Sequence, residues 1–195
     1  MMNPIKILLI MITLSACDQA TNTATGTDSK KGSSRATRFD SYIQSLEKIE
    51  PNFKHSSRAF LPKISGSYNV DGFKSFKHNS TFKPFGICFQ DETITGIIDY
   101  SNADLGHAIF LTTFDATGIK IDSANLFTKS GESPNHKSTE TAIFDGSNTI
   151  SVLDTVYVWQ LNEAGSERLE ETMEVKTGRT NFQILANGEI RQSNN

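Results

Sequence analysis

Several things are scarce in this chain of 195 residues. There are only two cysteines, Cys17 and Cys88, so no disulfide framework can substitute for a hydrophobic core. Charge of one sign is also missing. Nineteen Lys and Arg against 22 Asp and Glu leave a formal net charge of −3, with no basic stripe, which excludes the electrostatic footprint of a nucleic-acid binder. No apolar run reaches the length of about 20 residues that a membrane-spanning helix needs. No Gly-x-Ser-x-Gly elbow, no Gly-x-Gly-x-x-Gly turn and no phosphate loop occurs. The four histidines, His55, His78, His107 and His136, include no pair at i, i+3 or i+4, which argues against a zinc site. A fixed-period repeat is absent as well.

What is present begins with an ordered N-terminal pattern. Lys6 supplies a charge, Ile7-Leu8-Leu9-Ile10-Met11-Ile12-Thr13-Leu14 an apolar run, and Leu14-Ser15-Ala16-Cys17 a small-residue close. Such a run is too short for a permanent span and fits a transient signal segment. The last four residues resemble the lipobox of bacterial lipoproteins. That resemblance implies cleavage before Cys17, a diacylglycerol thioether on its sulfur, and a fatty acyl chain such as palmitate on the new amine. Several chains at about 0.8 kcal/mol per buried methylene would make a stable anchor. Asp18 resembles an inner-membrane retention mark of enteric bacteria, whereas the commoner destination of the family is the outer membrane. The expected location is therefore the cell envelope, on the outer rather than the inner membrane. If Cys17 carries lipid, Cys88 is a lone thiol in the apolar Phe85-Gly86-Ile87-Cys88-Phe89, where it should pack as a small hydrophobe.

Between Asp18 and Thr37 no apolar residue exceeds Ala in size, and Thr, Ser, Gly, Asn, Asp and Lys dominate. Such a composition cannot bury enough surface to offset the entropy of ordering, so it reads as a tether. The expected organisation is residues 1–16 as signal, 17–37 as lipidated cysteine plus tether, and 38–195 as one globular domain.

Phe39, Tyr42, Ile43, Leu46 and Ile49 recur at helical spacing, with Thr37-x-x-Asp40 as a loose capping box and Pro51 as a stop. This predicts one amphipathic helix. Irregular packing with short strands is expected from Pro51 to Pro84. From Phe85 onward the signal is β. Residues 93–100, 108–114, 119–127, 138–144, 149–161, 168–177 and 182–185 read as strands, rich in β-branched residues and separated by short turns. Asp115-Ala116-Thr117-Gly118 and Asp145-Gly146-Ser147-Asn148 are turn-like, and Asn187-Gly188 suggests a type I′ turn. The fold class expected is α+β, mostly β: the helix packed on a six- to eight-stranded antiparallel meander, which could curl into a half-barrel.

Two segments together, Phe110-Leu111-Thr112-Thr113-Phe114-Asp115-Ala116-Thr117-Gly118-Ile119-Lys120-Ile121-Asp122 and Phe182-x-Ile184-x-x-Asn187-Gly188-x-Ile190, resemble small envelope lipoproteins of Gram-negative bacteria. In those proteins a Leu-Thr-x-[Phe/Tyr]-Asp-x-x-Gly-x-x-Ile-Asp stretch precedes a closing strand and turn. The resemblance brings no activity and no catalytic residues with it.

Asp99, Asp104, Asp115 and Asp122 could in principle serve acid–base chemistry if burial raised one of their pKa values. Asp104 and Asp115 sit in turn-like contexts, where Asp bonds its own backbone. In Val156-Tyr157-Val158-Trp159 the two aromatics should share one strand face, as a buried central strand or as a wall for an apolar ligand. No catalytic, cofactor or metal residue is therefore assigned, and Cys17, for lipid attachment, is the single functional residue. The expected role is a membrane-anchored binding module without catalysis, with an envelope protein, a peptide or a glycan as partner. The alternatives are a carrier of an apolar ligand in a cupped sheet and a hydrolase in which Asp99, Asp122 or His107 converge.

Overall fold

The computed structural model describes residues 28–59, 74–78, 82–103 and 106–194. The signal segment, Cys17 and Asp104 lie outside the described residues, as does the side chain of His107. The described chain is mostly β. Helix α1 spans Asp28–Gln44. Ten strands follow: β1 Phe53–Ser56, β2 Lys83–Gln90, β3 Ile94–Ala103, β4 Gly106–Asp115, β5 Lys120–Asn125, β6 Gly131–Ser133, β7 His136–Phe144, β8 Thr149–Leu161, β9 Arg168–Ile184 and β10 Ile190–Asn194.

The strands form two antiparallel sheets rather than the single meander expected from the sequence, and neither closes into a barrel. The first, in order β2-β3-β4-β5, is a simple meander. The second runs β1-β7-β8-β9-β10, with β6 also paired to β7. The reason for two sheets lies in the apolar pattern. In β4, Ile109 and Leu111 join a buried cluster with Ala142, Phe144, Ile150, Val152, Phe182 and Ile184 of the second sheet. One residue out of phase, Phe114 joins Phe39, Tyr42, Leu46, Phe76, Ile87 and Ile97. Successive side chains point to opposite faces. The first sheet is therefore buried twice, against the second sheet on one side and against α1 with Phe76 on the other.

Three hairpin turns fasten these layers. Gly118, at φ +78°, leaves so little room that an added Cβ would stand 2.7 Å from Phe39. Its carbonyl accepts the Arg35 guanidinium at 2.7 and 3.1 Å. Residues 28–37, which composition reads as tether, belong to α1, and this docking explains why. A helix anchored by Phe39, Tyr42 and Arg35 can extend backward through residues of poor propensity.

At its other end α1 tightens, with Ser45 and Leu46 N–H donating to the carbonyls three residues back. Ile49 shares the helical spacing but lies beyond the helix in extended chain. There its N–H donates to the Ile87 carbonyl at 2.8 Å, because the edge of β2 offers a better partner than another helical turn. Gly146 receives Pro51 in the same way as Gly118 receives Phe39. The third turn, at Gly188, is not type I′. Asn187 keeps negative φ, only Gly188 is positive (φ +84°), and the Gly188 N–H donates to the Leu185 carbonyl at 2.8 Å. Asp115 to Gly118 closes with the same bond at 3.0 Å, so both are three-residue loops ending in a left-handed glycine.

Candidate functional site

The two segments quoted for the lipoprotein resemblance meet in space. Thr113 Oγ1 donates to the Gly188 carbonyl at 2.6 Å, and the Ile190 N–H donates to Asp122 Oδ2 at 2.8 Å. Asp122 Oδ1 accepts the Ser123 N–H at 2.7 Å. Asp122 thus ties β5 to β10, and the motif fastens one sheet to the other. Asp115 Oδ1 accepts the Thr117 N–H, the Thr117 hydroxyl and the Ile119 N–H, all at 2.8–2.9 Å, as a turn former does.

Asp99 sits elsewhere, on the α1-facing side of the first sheet, opposite to the side on which Asp122 bonds Ile190. It is fully buried. Its Oδ2 accepts the backbone N–H of His78 at 2.6 Å, while Oδ1 has no hydrogen-bond partner among the described residues. Burial pushes the carboxyl up to about 7, against the opposing pull of the His78 amide, Lys77 and Lys120. The His78 ring stacks on Phe110 at 3.9 Å and has Ser123 Oγ 3.4 Å from Nδ1. Desolvation, then the charge of Lys120, holds this imidazole below its usual value.

By residue type this is a Ser–His–Asp group, but its geometry differs from a catalytic one. In a working triad the acid holds the imidazole N–H and fixes its tautomer. Here the acid holds the backbone amide of His78 and not its ring, which is placed by stacking on Phe110. Asp99 and Asp122 do not converge on a common cleft.

A second carboxylate pair escaped the sequence reading. Glu140 and Asp154 are directly opposite in the β7–β8 ladder and both are buried. The Glu140 carboxylate accepts the N–H groups of Thr128, Lys129 and Ser130 and the Ser130 hydroxyl, between 2.8 and 3.0 Å. Asp154 Oδ1 accepts Lys129 Nζ at 2.9 Å. One loop, residues 128–130, therefore neutralises or satisfies both acids. Among the described residues no group of three or more His, Cys, Asp or Glu is placed to hold a metal ion. The available signal was phase: Glu140 falls in the same alternation as inward-facing Ser138, Ala142 and Phe144.

Cys88 packs against the inter-sheet core, with its thiol 3.4 Å from the Gly96 carbonyl. It is half-buried, and desolvation pushes the thiol up to about 12, so it stays protonated near neutral pH.

Tyr157 and Trp159 share a face and stack at 6.0 Å. The indole ring is not an open platform. The Arg168 guanidinium lies over it at 4.3 Å, and its N–H donates to Glu170 at 3.1 Å. Arg168 is held in turn by the carbonyls of Ser133 and Pro134 and by Glu132.

The remaining surface feature is the outer face of the second sheet. Leu153 pairs with Arg179 and Thr155 with Thr177 on that face, and together with Asp154 and Gly178 they line an open cleft of about 440 Å³. Leu153 is 36% exposed and Val175, opposite Tyr157, is 51% exposed. The chain matches no family model, no curated protein and no solved structure.

Proposed function

We propose that the protein is a lipid-anchored envelope lipoprotein whose folded part is a non-catalytic interaction module. The carrying observation is the uncovered outer face of the second sheet. Leu153 and Val175 supply apolar surface there, Thr155 and Thr177 supply hydroxyls, and Arg179 supplies a guanidinium beside the cleft. These chemistries suit an extended peptide segment of another envelope protein, with a carboxylate for Arg179. The acids that could have suggested hydrolysis are occupied in holding backbone, which supports a role without catalysis.

A photo-crosslinking residue at Thr177 tests the face. The expected result is one discrete adduct at Thr177, none from the exposed Glu92 turn, and loss of the adduct in an Arg179→Glu variant. Equal labelling from both positions would reject the face.

The anchor half of the proposal rests on Leu14-Ser15-Ala16-Cys17. No helix among the described residues is long and apolar enough to cross a membrane. Attachment through Cys17 predicts a diacylglyceryl mass on the wild-type N-terminal peptide, and release of a Cys17→Ser variant from outer-membrane fractions. A membrane-bound Cys17→Ser protein would refute it.

A further inference from the structure

Strand β9 is far longer than the strand that covers its outer side. It spans Arg168–Ile184, but β10 pairs only with Thr180 to Ile184. On its other side, Glu174 to Gln183 pair with β8. From Thr172 to Arg179 the edge away from β8 has no strand partner among the described residues. A long free edge is a template for another strand, and proteins that keep such edges unpaired usually guard them with like charges, Pro or inward-pointing charges. This edge is guarded differently. Glu174 and Lys176 are both exposed, of opposite sign, and 3.7 Å apart, while Met173 (47% exposed) and Val175 offer apolar surface between and beside them.

We infer that the free edge of β9 pairs with the same edge of a second copy of this chain, antiparallel, about a two-fold axis at Val175. A two-fold axis makes the edge self-complementary, since each residue meets its mirror position in the strand. With the axis at Val175, Glu174 lies opposite Lys176 of the second copy, Glu171 opposite Arg179, Met173 opposite Thr177 and Thr172 opposite Gly178. Every cation on the edge then faces an anion, and each such pair occurs twice. Directly opposed residues share a face of the joined sheet, so these pairs are true cross-strand neighbours.

Neighbouring registers are worse. An axis at Glu174 or at Lys176 sets like charges against themselves. An axis at Met173 sets Lys176 against Glu170, whose carboxylate already accepts the Trp159 indole N–H, and leaves Glu174 facing only Thr172. The edge shares Arg179 and Thr177 with the face proposed above, so the test reads the Glu174–Lys176 pair, which that face does not use.

Sedimentation equilibrium of the full chain in density-matched detergent tests it. The wild type should be a dimer at high micromolar concentration. Lys176→Glu, which puts Glu opposite Glu twice, should raise the dissociation constant by about tenfold. The double variant Glu174→Lys with Lys176→Glu should restore dimerisation, because the swapped charges again face each other. A register through Glu170 would not be rescued by that exchange. Both side chains are exposed, so circular dichroism should show unchanged folds. A wild type that stays monomeric, or a dimer indifferent to Lys176→Glu, would overturn the inference. In the supported case, hydrogen exchange at residues 173–177 slows as concentration rises.

Discussion

The two sheets are built from similar strands yet live in different surroundings. The first sheet is packed on both faces. One side meets the second sheet through Ile98, Ile109 and Leu111, and the other meets α1 through Ile97 and Phe114, all buried. The second sheet joins that core on one side, near Phe144, Ile150, Val152, Phe182 and Ile184, while Leu153 and Val175 on its other side are exposed. Further along β8 and β9 the same ladder runs out into an arm held by polar contacts. The first sheet is thus committed to folding, and chemistry available to partners is displaced onto the second. Buried polar groups follow the same division. Asp99 Oδ1 and Thr112 Oγ1, buried in the first sheet, have no hydrogen-bond partner among the described residues, whereas Glu140 and Asp154 in the second are both held by one loop.

The comparison breaks most sharply where both sheets share a core. Phe182 is 2% exposed at the centre of that core. Phe182→Ala should cost about 3–5 kcal/mol, because it removes a large buried ring and leaves a cavity that a two-sheet core cannot collapse around. Met173→Ala, on the arm, should stay within about 0.5 kcal/mol. Urea unfolding of the two variants measures the contrast, and equal losses would show that the arm is as much a part of the core as the sandwich.

A second test separates layers rather than sheets. At Gly118 an added side chain meets Phe39 and must adopt a left-handed φ. Gly118→Val should destabilise by about 2–3 kcal/mol and loosen α1 in particular. Faster amide exchange at residues 39–44, with β8 unchanged, is the expected pattern.

How much of this could be read from residues alone follows from the same geometry. Strand positions were legible because alternation and β-branching are local properties, and Thr149 to Leu161 is a strand with those bounds. The division into two sheets was not legible. It depends on which apolar phase of β4 faces which layer, and Ile109 and Phe110 look alike in sequence. The residues alone suggest two strands, 168–177 and 182–185, where the structure has the single strand β9 running through Gly178. The added Cβ that Gly178 lacks would stand 2.7 Å from Asp154, so that glycine is a packing requirement and not a turn. Asp99 was noted as a candidate, but its partner is the amide of His78, 21 residues earlier, which no spacing rule could suggest.

Asp99 supplies a pH test of the buried sheet. Its carboxyl titrates at about 7 when folded against 3.8 as the ordinary value, so the native state holds the proton across that interval. The contribution to stability is complete below pH 3.8 and is lost as pH rises through 7. Even with Lys77 and Lys120 favouring the anion, stability falls across that whole range. Asp99→Asn cannot ionise and should flatten the fall. A wild type whose stability rises from pH 5 to pH 8, with the same slope in Asp99→Asn, would place the dominant titration elsewhere.

The smallest effect belongs to the exposed end of the arm, where it can still be read cleanly. Trp159 is the only tryptophan, so its fluorescence reports on its own surroundings. Arg168→Ala removes the guanidinium over the ring and with it the links to Ser133, Pro134 and Glu132. A cation–π contact at a partly exposed site is worth about 0.5–1 kcal/mol, and the Glu132 ion pairs in water add little. The stability change should therefore be about 1 kcal/mol, while the emission maximum moves to longer wavelength as water reaches the indole. If Arg168→Ala left the emission unchanged, the ring would be shielded by Tyr157 and the strand alone. The arm would then owe its order to the sheet rather than to the polar contacts assigned to it.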